Sequence, residues 1–397
     1  MGRSRSGYTR GGSSKINTRG FIKKESVMKI STINASAYTD FDNHEKVVEC
    51  IDESRGLRAY IAIHNRNLGP ALGGCRIWPY ASRDEAVTDV LRLSRGMTYK
   101  SAMAELPLGG GKAVIMADPK THKTRDMLLA MGEFVESLGG AYITAEDSGT
   151  SVEDLKTMGT KTRHVTGVSR KQLRDGSEVS GDPSPSTAYG VFVGIKASVK
   201  HRFNVNNLEG IKVAIQGVGN VGKRLAKFLA DAGARVYVAD LYADVVNDLA
   251  DSVDVVPVNL EEIHKADVDV FAPCALGGFI NEQTLQEIKA PVIAGAANNQ
   301  LANPAMGELL VQSRKLYAPD YVINAGGIID IFYERSCYDH EKVTRHIERI
   351  GENLEEIFML AKETGQPTQL ITDKIAESRF ACHLEPSREI SSSMAYA

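Results

Sequence analysis

Two lysines with the chemistry to hold a carboxylate lie twelve positions apart, Lys100 and Lys112. Lys100 ends a helical pattern, and Lys112 follows three glycines, at 109–111, that allow close backbone approach. A lysine ammonium is a compact charge suited to a carboxylate. A lysine that is crowded by another cation and shielded from water loses basicity and serves as a general base near neutral pH. The alternative, two solvated surface charges, is disfavoured by the apolar and glycine-rich surroundings.

An acidic side chain is placed to complete this site. Asp147 comes just past the strand pattern at 141–145, and a carboxylate there is well placed to partner an amine. Together, Lys100, Lys112 and Asp147 predict a site that grips a small anion and transfers protons.

A dinucleotide-binding signal follows in the second half of the chain, and it consists of Gly217, Val218, Gly219, Asn220, Val221 and Gly222. A β-branched strand pattern precedes it and an amphipathic helix pattern follows, as such a turn requires. Gly217 would make the tight turn, Gly219 would let the backbone approach a pyrophosphate, and Gly222 would let the helix pack on the strand. The helix N-terminus then offers N–H groups to the phosphates.

The coenzyme is predicted by one carboxylate at the end of the next strand. Asp240 lies 23 positions after Gly217, and a carboxylate there accepts hydrogen bonds from ribose hydroxyls and repels a 2′-phosphate. Leu241 and Tyr242 provide no arginine to bind that phosphate. We therefore predict NAD rather than NADP. The alternative is a plain strand–helix turn with Asp240 as a solvated strand end.

The elements that must position these residues alternate between strand and helix, which predicts an α/β fold. In the first half, Asp84 is predicted to cap a helix, Lys112 to begin a buried strand, and the polar segment 171–185 to form a loop at a domain boundary. The other patterns predict strands at 57–64 and 141–145 and helices at 127–138 and 187–200.

In the second half, strand and helix patterns alternate as they do in a doubly wound parallel sheet. Strand patterns cover 212–216, 234–240, 269–272, 291–294 and 321–324. We predict two domains with a cleft between them: an α/β substrate domain over 28–180 and a Rossmann-type NAD domain over 181–349. The C-terminal helices, at about 350–397, are predicted to pack back on the first domain.

The composition indicates an ordinary globular protein. Hydrophobic residues make up 43% and charged residues 24% of the 397 residues, which suits two or three domains with cores of their own. A formal net charge of −3 carries no basic excess, so no nucleic-acid partner is predicted. No apolar run reaches the length that a transmembrane helix needs, so no membrane partner is predicted either.

Residues 1–27 and the cysteines complete the compositional picture. The first 27 residues carry seven basic side chains against one acid, Glu25, and are predicted to be a disordered extension. They weakly resemble an organelle transit peptide, and a start at Met28 is an alternative. Five scattered cysteines without a Cys-x-x-Cys pair argue against disulfides or a metal site and favour the reducing cytoplasm.

Several long segments, in the same order, resemble the amino-acid dehydrogenases that act on Glu, Leu, Phe and Val. The resemblance runs from about Ala59 to the end of the second domain, and more loosely to about Arg379. The segments that carry it are 68–76, 96–100, 109–112, 294–300 and 318–327. It implies an NAD-dependent enzyme, and members of this family usually form homo-oligomers, often octamers.

The resemblance also implies a role for each matching residue. Lys100 would bind the substrate α-carboxylate, Lys112 would activate water, and Asp147 would carry protons to and from the amine. Gly73 and Gly74 would line a wall near the carboxylate. Asn298 would lie between the nicotinamide and the substrate.

Four apolar residues match the positions that choose the substrate side chain in this family: Leu72, Ala145, Ile328 and Ile331. Glutamate enzymes have a lysine where this chain has Leu72, and a buried carboxylate without a cation costs several kcal/mol. A branched aliphatic amino acid is therefore predicted. Leucine-acting members are the most similar, including at Ala145, but the two isoleucines are bulkier than their usual valines and would shift activity toward valine or isoleucine.

The predicted reaction is reversible oxidative deamination of leucine, valine or isoleucine to the 2-oxo acid, ammonium and NADH. Two alternatives stay open at this point. One is a dehydrogenase that prefers phenylalanine or another aromatic amino acid. The other is a dinucleotide-binding sensor without catalysis, which would bind the coenzyme but show no ammonia-dependent oxidation of NADH.

Overall fold

A computed structural model describes residues 28–172, 178–275, 277–336 and 338–381. It contains two six-stranded sheets, one for each half of the chain, with helices packed around them. The predicted two-domain α/β fold is confirmed. The predicted disordered extension, 1–27, lies outside the described residues.

The first sheet has the order β1-β2-β3-β5-β4-β6. Strands β1, β2, β3 and β5 pair antiparallel, whereas β5, β4 and β6 pair parallel. The strands span Lys29–Thr32 (β1), Lys46–Asp52 (β2), Leu57–Asn65 (β3), Ala71–Trp78 (β4), Gly109–Met116 (β5) and Tyr142–Glu146 (β6). The helices of this half are Arg83–Met103 (α1), Arg125–Glu136 (α2) and Val152–Gly159 (α3).

The second sheet is parallel throughout, with the order β11-β10-β9-β12-β13-β14. This is the order of a doubly wound dinucleotide-binding sheet. Its strands are Lys212–Gln216 (β9), Arg235–Ala239 (β10), Val255–Pro257 (β11), Val270–Pro273 (β12), Val292–Ile293 (β13) and Leu316–Tyr317 (β14). The helices that follow β9 and the later strands are Gly222–Asp231 (α5), Ala243–Ala250 (α6), Glu282–Glu287 (α7), Met306–Gln312 (α8), Asp320–Ile323 (α9) and Gly326–Glu334 (α10), with a 3-10 turn at Ile263–Lys265.

A short hairpin and a long helix, α4, join the two sheets. The hairpin strands are Arg170–Gln172 (β7) and Glu178–Ser180 (β8), and α4 spans Ser184–Phe203. The prediction of a loop over 171–185 was therefore wrong at both ends. Pro185 lies in the first turn of α4, where proline costs no helical hydrogen bond because the first N–H groups have no partner within the helix.

Two helix and strand starts differ from the prediction for local reasons. Ser82, not Asp84, caps α1, because its side chain accepts a hydrogen bond from the backbone N–H of Glu85. Strand β5 begins at Gly109, so Lys112 lies inside it rather than at its start. The glycines belong to the strand because α1 packs directly on them: a Cβ atom on Gly110 would lie 2.0 Å from the backbone N of Thr98.

The predicted strand at 321–324 is a helix. Strand β14 ends earlier, at Tyr317, and Pro319 directly precedes the short helix α9, whose residues Val322 and Ile323 are buried. An apolar, β-branched pair fits a buried helical turn as well as a strand, so the local pattern alone could not distinguish them.

The C-terminal helices connect the two halves of the molecule. They span His340–Thr364 (α11) and Thr368–Ala381 (α12). Helix α12 packs on α1, where the Tyr99 hydroxyl donates to Glu377 Oε1 at 2.8 Å and Arg379 Nη1 donates to the Met103 carbonyl at 3.2 Å. Residues 382–397 lie outside the described part of the chain. Among the described residues, no helix combines the length and apolar character needed to cross a bilayer.

Candidate active site

Lys112 and Asp147 form a direct ion pair across β4 of the first sheet. Lys112 lies on β5 with 5% of its surface exposed, and Asp147 directly follows β6. Strand β4 runs between these two strands and presents Gly73 and Gly74 there. A Cβ atom on Gly74 would lie 2.7 Å from Asp147 Cβ and 2.9 Å from its Oδ2. The ion pair therefore depends on the absence of a side chain at Gly74.

A second cation holds the other oxygen of the Asp147 carboxylate. Arg76 Nε donates to Asp147 Oδ1 at 3.0 Å, and the backbone N–H of Ser148 donates to the same oxygen at 2.7 Å. Burial by itself would raise the pKa of Asp147, but Lys112 and Arg76 outweigh it and hold that pKa well below its usual range. Asp147 is therefore a carboxylate that is partly buried and anionic.

Arg76 is itself fixed by a polar chain that leads to the cleft surface. Its Nη1 donates to Asp89 Oδ2 at 3.0 Å, and the Tyr80 hydroxyl donates to the same oxygen at 2.7 Å. These three residues were not among the predicted site residues. The available signal was Arg76, which ends the segment 68–76 that resembles the dehydrogenase family.

Lys100 approaches the ion pair from the end of α1. Its Nζ donates to Asn298 Oδ1 at 3.3 Å, and Asn324 Nδ2 donates to that same oxygen at 2.8 Å. Burial lowers the pKa of Lys100 to about 8, while Asp320 opposes the shift and the charge of Lys112 adds to it. The structure thus brings the two predicted lysines together, with an asparagine of the second half of the chain beside them.

Asp320 is a further acid of this site that the sequence did not single out. Burial raises its pKa, and the charge of Lys100 opposes that shift. The Asp320 carboxylate accepts hydrogen bonds from the backbone N–H of Tyr321 at 2.9 Å and of Gln300 at 3.3 Å. It therefore connects the start of α9 to the loop that carries Asn298.

The four predicted side-chain-pocket residues are apolar and shielded from solvent to different degrees. Leu72 and Ile328 belong to one continuous apolar cluster, and Ile331 is partly buried against it. Ala145 is buried on β6, where it pairs in register with Gly74 of β4. Among substrate side chains, an aliphatic one would be buried in these surroundings at the lowest cost in free energy.

The glycine-rich turn has the geometry that a dinucleotide requires. Gly217 adopts φ +96°, and a Cβ atom on Gly222 would lie 2.0 Å from the Gly217 carbonyl oxygen. Gly219 and Asn220 are exposed, and a Cβ atom on Gly219 would meet nothing within 4 Å. No side chain caps α5, which follows Val221. Its N-terminus is therefore left for an anion, and a dinucleotide phosphate fits it.

Asp240 lies beside this turn, as predicted from its spacing. Its Oδ2 accepts a hydrogen bond from the backbone N–H of Val218 at 2.8 Å, and its Oδ1 accepts one from Tyr242 at 3.1 Å. Leu241 and Tyr242 are strongly exposed. The carboxylate therefore also orders the glycine-rich turn, a role that the sequence pattern did not indicate.

A cleft of about 570 Å³ lies between the two halves of the molecule. Arg76, Tyr80 and Ser148 line it from the first half, and Asn298 and Asn299 line it from the second. Asn298, which accepts from Lys100, and Arg76, which pairs with Asp147, connect this cleft to the two lysines and the carboxylate, and Ala275, which also lines it, contacts Gly217 of the glycine-rich turn. Chemically, this combination can anchor a carboxylate and exchange protons with a neighbouring amine.

Comparison with known proteins identifies the class to which this fold and site belong. Residues 44–164 match the family model described as Glu/Leu/Phe/Val dehydrogenase, dimerisation domain. Residues 180–248 and 237–375 match the model described as Glutamate/Leucine/Phenylalanine/Valine dehydrogenase. The chain belongs to this family.

Individual relatives match at high coverage. The leucine dehydrogenase of Geobacillus stearothermophilus is 47% identical over 343 residues, which are 86% of this chain and 92% of that protein. An L-tryptophan dehydrogenase of Nostoc punctiforme is 46% identical over 85% of this chain and 93% of that protein. The crystal structure of L-tryptophan dehydrogenase from Nostoc punctiforme superposes with a TM-score of 0.75 at 42% identity, over 86% of this chain and 97% of that one. The protein is an amino-acid dehydrogenase, which disfavours the non-catalytic sensor.

Proposed function

We propose that this protein catalyses the reversible, NAD-dependent oxidative deamination of a branched-chain L-amino acid, with leucine, valine and isoleucine as substrates. The observation that carries the proposal is the Lys112–Asp147 ion pair with Lys100 near it, together with the apolar cluster that includes Leu72. The family resemblance matches Leu72 to a lysine of glutamate enzymes. The relative named leucine dehydrogenase supports it.

The proposed roles follow from charge and position. Lys100 holds the substrate α-carboxylate, and the substrate side chain lies among Leu72, Ala145, Ile328 and Ile331. Gly74 keeps the space beside Asp147 open, and Gly73 lets β4 lie against Gly111 of β5. The glycine-rich turn at 217–222 and the N-terminus of α5 would hold the coenzyme, which would supply a hydride acceptor for the substrate Cα. Lys112, as the neutral amine, takes a proton from the water that attacks the imine carbon of the substrate, and this proton makes it an ammonium beside Asp147. Asp147, held anionic by Arg76, accepts protons from the amine and returns them as ammonia leaves.

The experiment that tests this proposal is a steady-state panel of 2-oxo acids with ammonium and NADH, followed by NADH absorbance. We expect the oxo acids of leucine, valine and isoleucine to have kcat/KM values at least about 100-fold above that of 2-oxoglutarate, because a buried carboxylate would lack a cation. A faster reaction with 2-oxoglutarate would contradict the proposal.

An aromatic amino acid is the second candidate, and one observation favours it. The relative named L-tryptophan dehydrogenase is 46% identical to this chain, close to the 47% of the relative named leucine dehydrogenase. Overall identity therefore does not separate the two substrates. The oxo acids of phenylalanine and tryptophan belong in the same panel, and their preference over the branched-chain acids would replace the first candidate by the second.

NAD rather than NADP is the proposed coenzyme. The support is the negative charge of Asp240 beside the glycine-rich turn, followed by Leu241 and Tyr242 rather than by a cation. A 2′-phosphate would meet that charge at close range. We expect kcat/KM for NAD to exceed that for NADP by at least about 100-fold. The variant Asp240→Asn should narrow this ratio, and comparable values in the unchanged enzyme would refute the preference.

A homo-oligomer in the cytoplasm is the proposed cellular form. The support for assembly is the matched family model, which describes residues 44–164 as a dimerisation domain, together with the wholly exposed edge strand β1. The support for a reducing compartment is that Cys50, Cys75 and Cys274 are free. Sedimentation should give a mass that is a multiple of 43.1 kDa, and a monomer would contradict the assembly.

A further inference from the structure

A second cavity, of about 460 Å³, is lined by the C-terminal ends of α4, α8 and α11 and the start of α12, and its described lining shares no residue with that of the cleft. We call it the basic cavity, and its basic lining residues are His201, Arg202, Arg314, Lys315 and Lys362. Its described lining includes no Asp or Glu. Neither the proposed reaction nor the family match assigns a role to the basic cavity.

Three helices end at the basic cavity. His201 and Arg202 lie in the last turn of α4, Lys362 lies in the last turn of α11, and Arg314 and Lys315 follow α8. A helix C-terminus carries about −0.5 of an elementary charge, so three of them supply roughly −1.5. The four Arg and Lys side chains carry four positive charges, so about 2.5 positive charges remain after the three helix ends are neutralised. Neutralising the helix ends therefore does not account for all of them.

The surplus charge has no carboxylate partner within the described chain. Lys200, one position before His201, pairs with Glu355 at 2.7 Å, but no described Asp or Glu forms an ion pair with Arg202, Arg314 or Lys362.

The charges of neighbouring cations lower the pKa of the other two basic groups of the cavity, Lys315 and His201. Among the described residues, the Ala290 carbonyl is the one acceptor of Lys315 Nζ, at 3.1 Å. Burial lowers the pKa of Lys315, and the charge of Arg202 lowers it further. Burial also lowers the pKa of His201, with Lys362 adding to the shift and Glu355 opposing it. At Lys315 and His201, a neighbouring cation therefore has a larger effect on the pKa than any acid does.

An apolar wall faces these cations. Leu310, Val311, Phe358 and Ala361 contribute to it, and 39% of the Val311 surface is exposed. The volume is within the range of small-molecule sites, about 300–1,000 Å³. A ligand that fits has a doubly charged anionic group and an apolar or ring-shaped remainder.

We propose that the basic cavity binds a small phosphate monoester as its dianion. The phosphate oxygens would lie among Arg202, Arg314 and Lys362, since guanidinium groups match phosphate geometry with paired hydrogen bonds. The organic part of the ester would lie against the apolar wall. The site is separate from the coenzyme's phosphate-binding turn, which lies at the N-terminus of α5.

Titration calorimetry on the full chain tests the proposal, with phenyl phosphate and inorganic phosphate as probes and saturating NAD present to fill the coenzyme site. We expect saturable binding of phenyl phosphate with Kd at or below about 1 mM, and binding of inorganic phosphate several-fold weaker because it lacks the apolar part. The double variant Arg202→Gln, Arg314→Gln should weaken phenyl phosphate binding by at least about tenfold.

The matched control is the double variant Lys227→Gln, Arg345→Gln. Both residues are exposed, each has an acidic neighbour on its own helix, and the change in net charge is the same. Its Kd should stay within about twofold of the original. If both double variants bound phenyl phosphate equally weakly, the effect would come from net charge rather than from the cavity, and the proposal would be overturned. Failure of phenyl phosphate to bind with NAD present would also overturn it.

A second variant keeps all the cations in place. Val311→Glu adds a carboxylate at the exposed edge of the apolar wall, where the fold tolerates a polar residue. It should abolish phenyl phosphate binding while the melting temperature stays unchanged. Unchanged binding in this variant would contradict the proposal. The dehydrogenase activity of each variant, measured in parallel, separates this result from any failure of the proposed reaction.

Discussion

Arg76 and Asp147 form an ion pair of 3.0 Å between Nε and Oδ1, on the side of the carboxylate away from Lys112. Arg76 also donates to Asp89, which in turn accepts from Tyr80. Asp147 therefore has a second cationic partner besides Lys112. For Lys112 as the proposed base, this second partner would keep the carboxylate paired during the reaction.

The first prediction concerns Arg76→Gln. Losing this cation should raise the pKa of Asp147, so the acid limb of the kcat pH profile should move to higher pH, and kcat at neutral pH should fall by about 10- to 100-fold. Arg76→Lys should restore much of the activity. Arg92→Gln is the control, because Arg92 is exposed and pairs with Asp89 rather than with Asp147. An acid limb that does not move would contradict this positioning role.

The second prediction concerns Lys112→Ala. Removing the proposed base should lower kcat by at least about 10³-fold. The fold should survive, because Arg76 still pairs with Asp147. Circular dichroism and the melting temperature check the fold, and steady-state kinetics checks kcat. Turnover near that of the unchanged enzyme would rule out Lys112 as the base.

The third prediction is a pH dependence that originates at Lys100. Burial lowers the pKa of this lysine to about 8, so it is charged below that pH and loses its charge above it. Binding of 4-methylpentanoate, which resembles leucine without its amine, should be constant below pH 8 and weaken by up to about tenfold per unit above it. Calorimetry across this range measures the Kd.

Two variants of Lys100 serve as controls for that profile. Lys100→Arg keeps its charge at every pH used, so its Kd should not show the alkaline loss. Lys100→Ala should bind the carboxylate weakly at all pH values. A wild-type Kd that stays constant up to about pH 10 would contradict the lowered pKa of Lys100. An unchanged Kd in Lys100→Ala would show that this lysine does not hold the carboxylate.

The fourth prediction concerns Leu72→Lys. A charged side chain in this apolar cluster should lower kcat/KM for the leucine oxo acid by roughly 100-fold and raise that for 2-oxoglutarate, because a γ-carboxylate then finds a cation. The control Leu72→Met keeps the volume and should change kcat/KM by less than about tenfold. If the folded variant showed no increase in kcat/KM for 2-oxoglutarate, Leu72 would not be part of the substrate pocket.

Local chemistry in the sequence was sufficient for the elements whose signals are short-range. The run 212–216 and the glycines after it predicted β9 and the turn to α5, because a dinucleotide turn needs each glycine for a local reason. The lysines and Asp147 were also predicted as a set. Where the local signal was ambiguous, as at 321–324, the prediction was wrong.

Tertiary structure alone decided which distant residues meet. Lys100 and Asn298 are 198 positions apart, and Arg76 and Asp147 are 71 apart; no spacing in the sequence predicts such contacts, because they depend on strand order and on how two sheets pack. The need for glycine at position 74 is of the same kind: it arises from the strand order β5-β4-β6, which puts Lys112 and Asp147 on either side of it. The residue types in the sequence determined which chemical groups the protein has. The packing of the two sheets decided which of these groups lie within contact distance of one another.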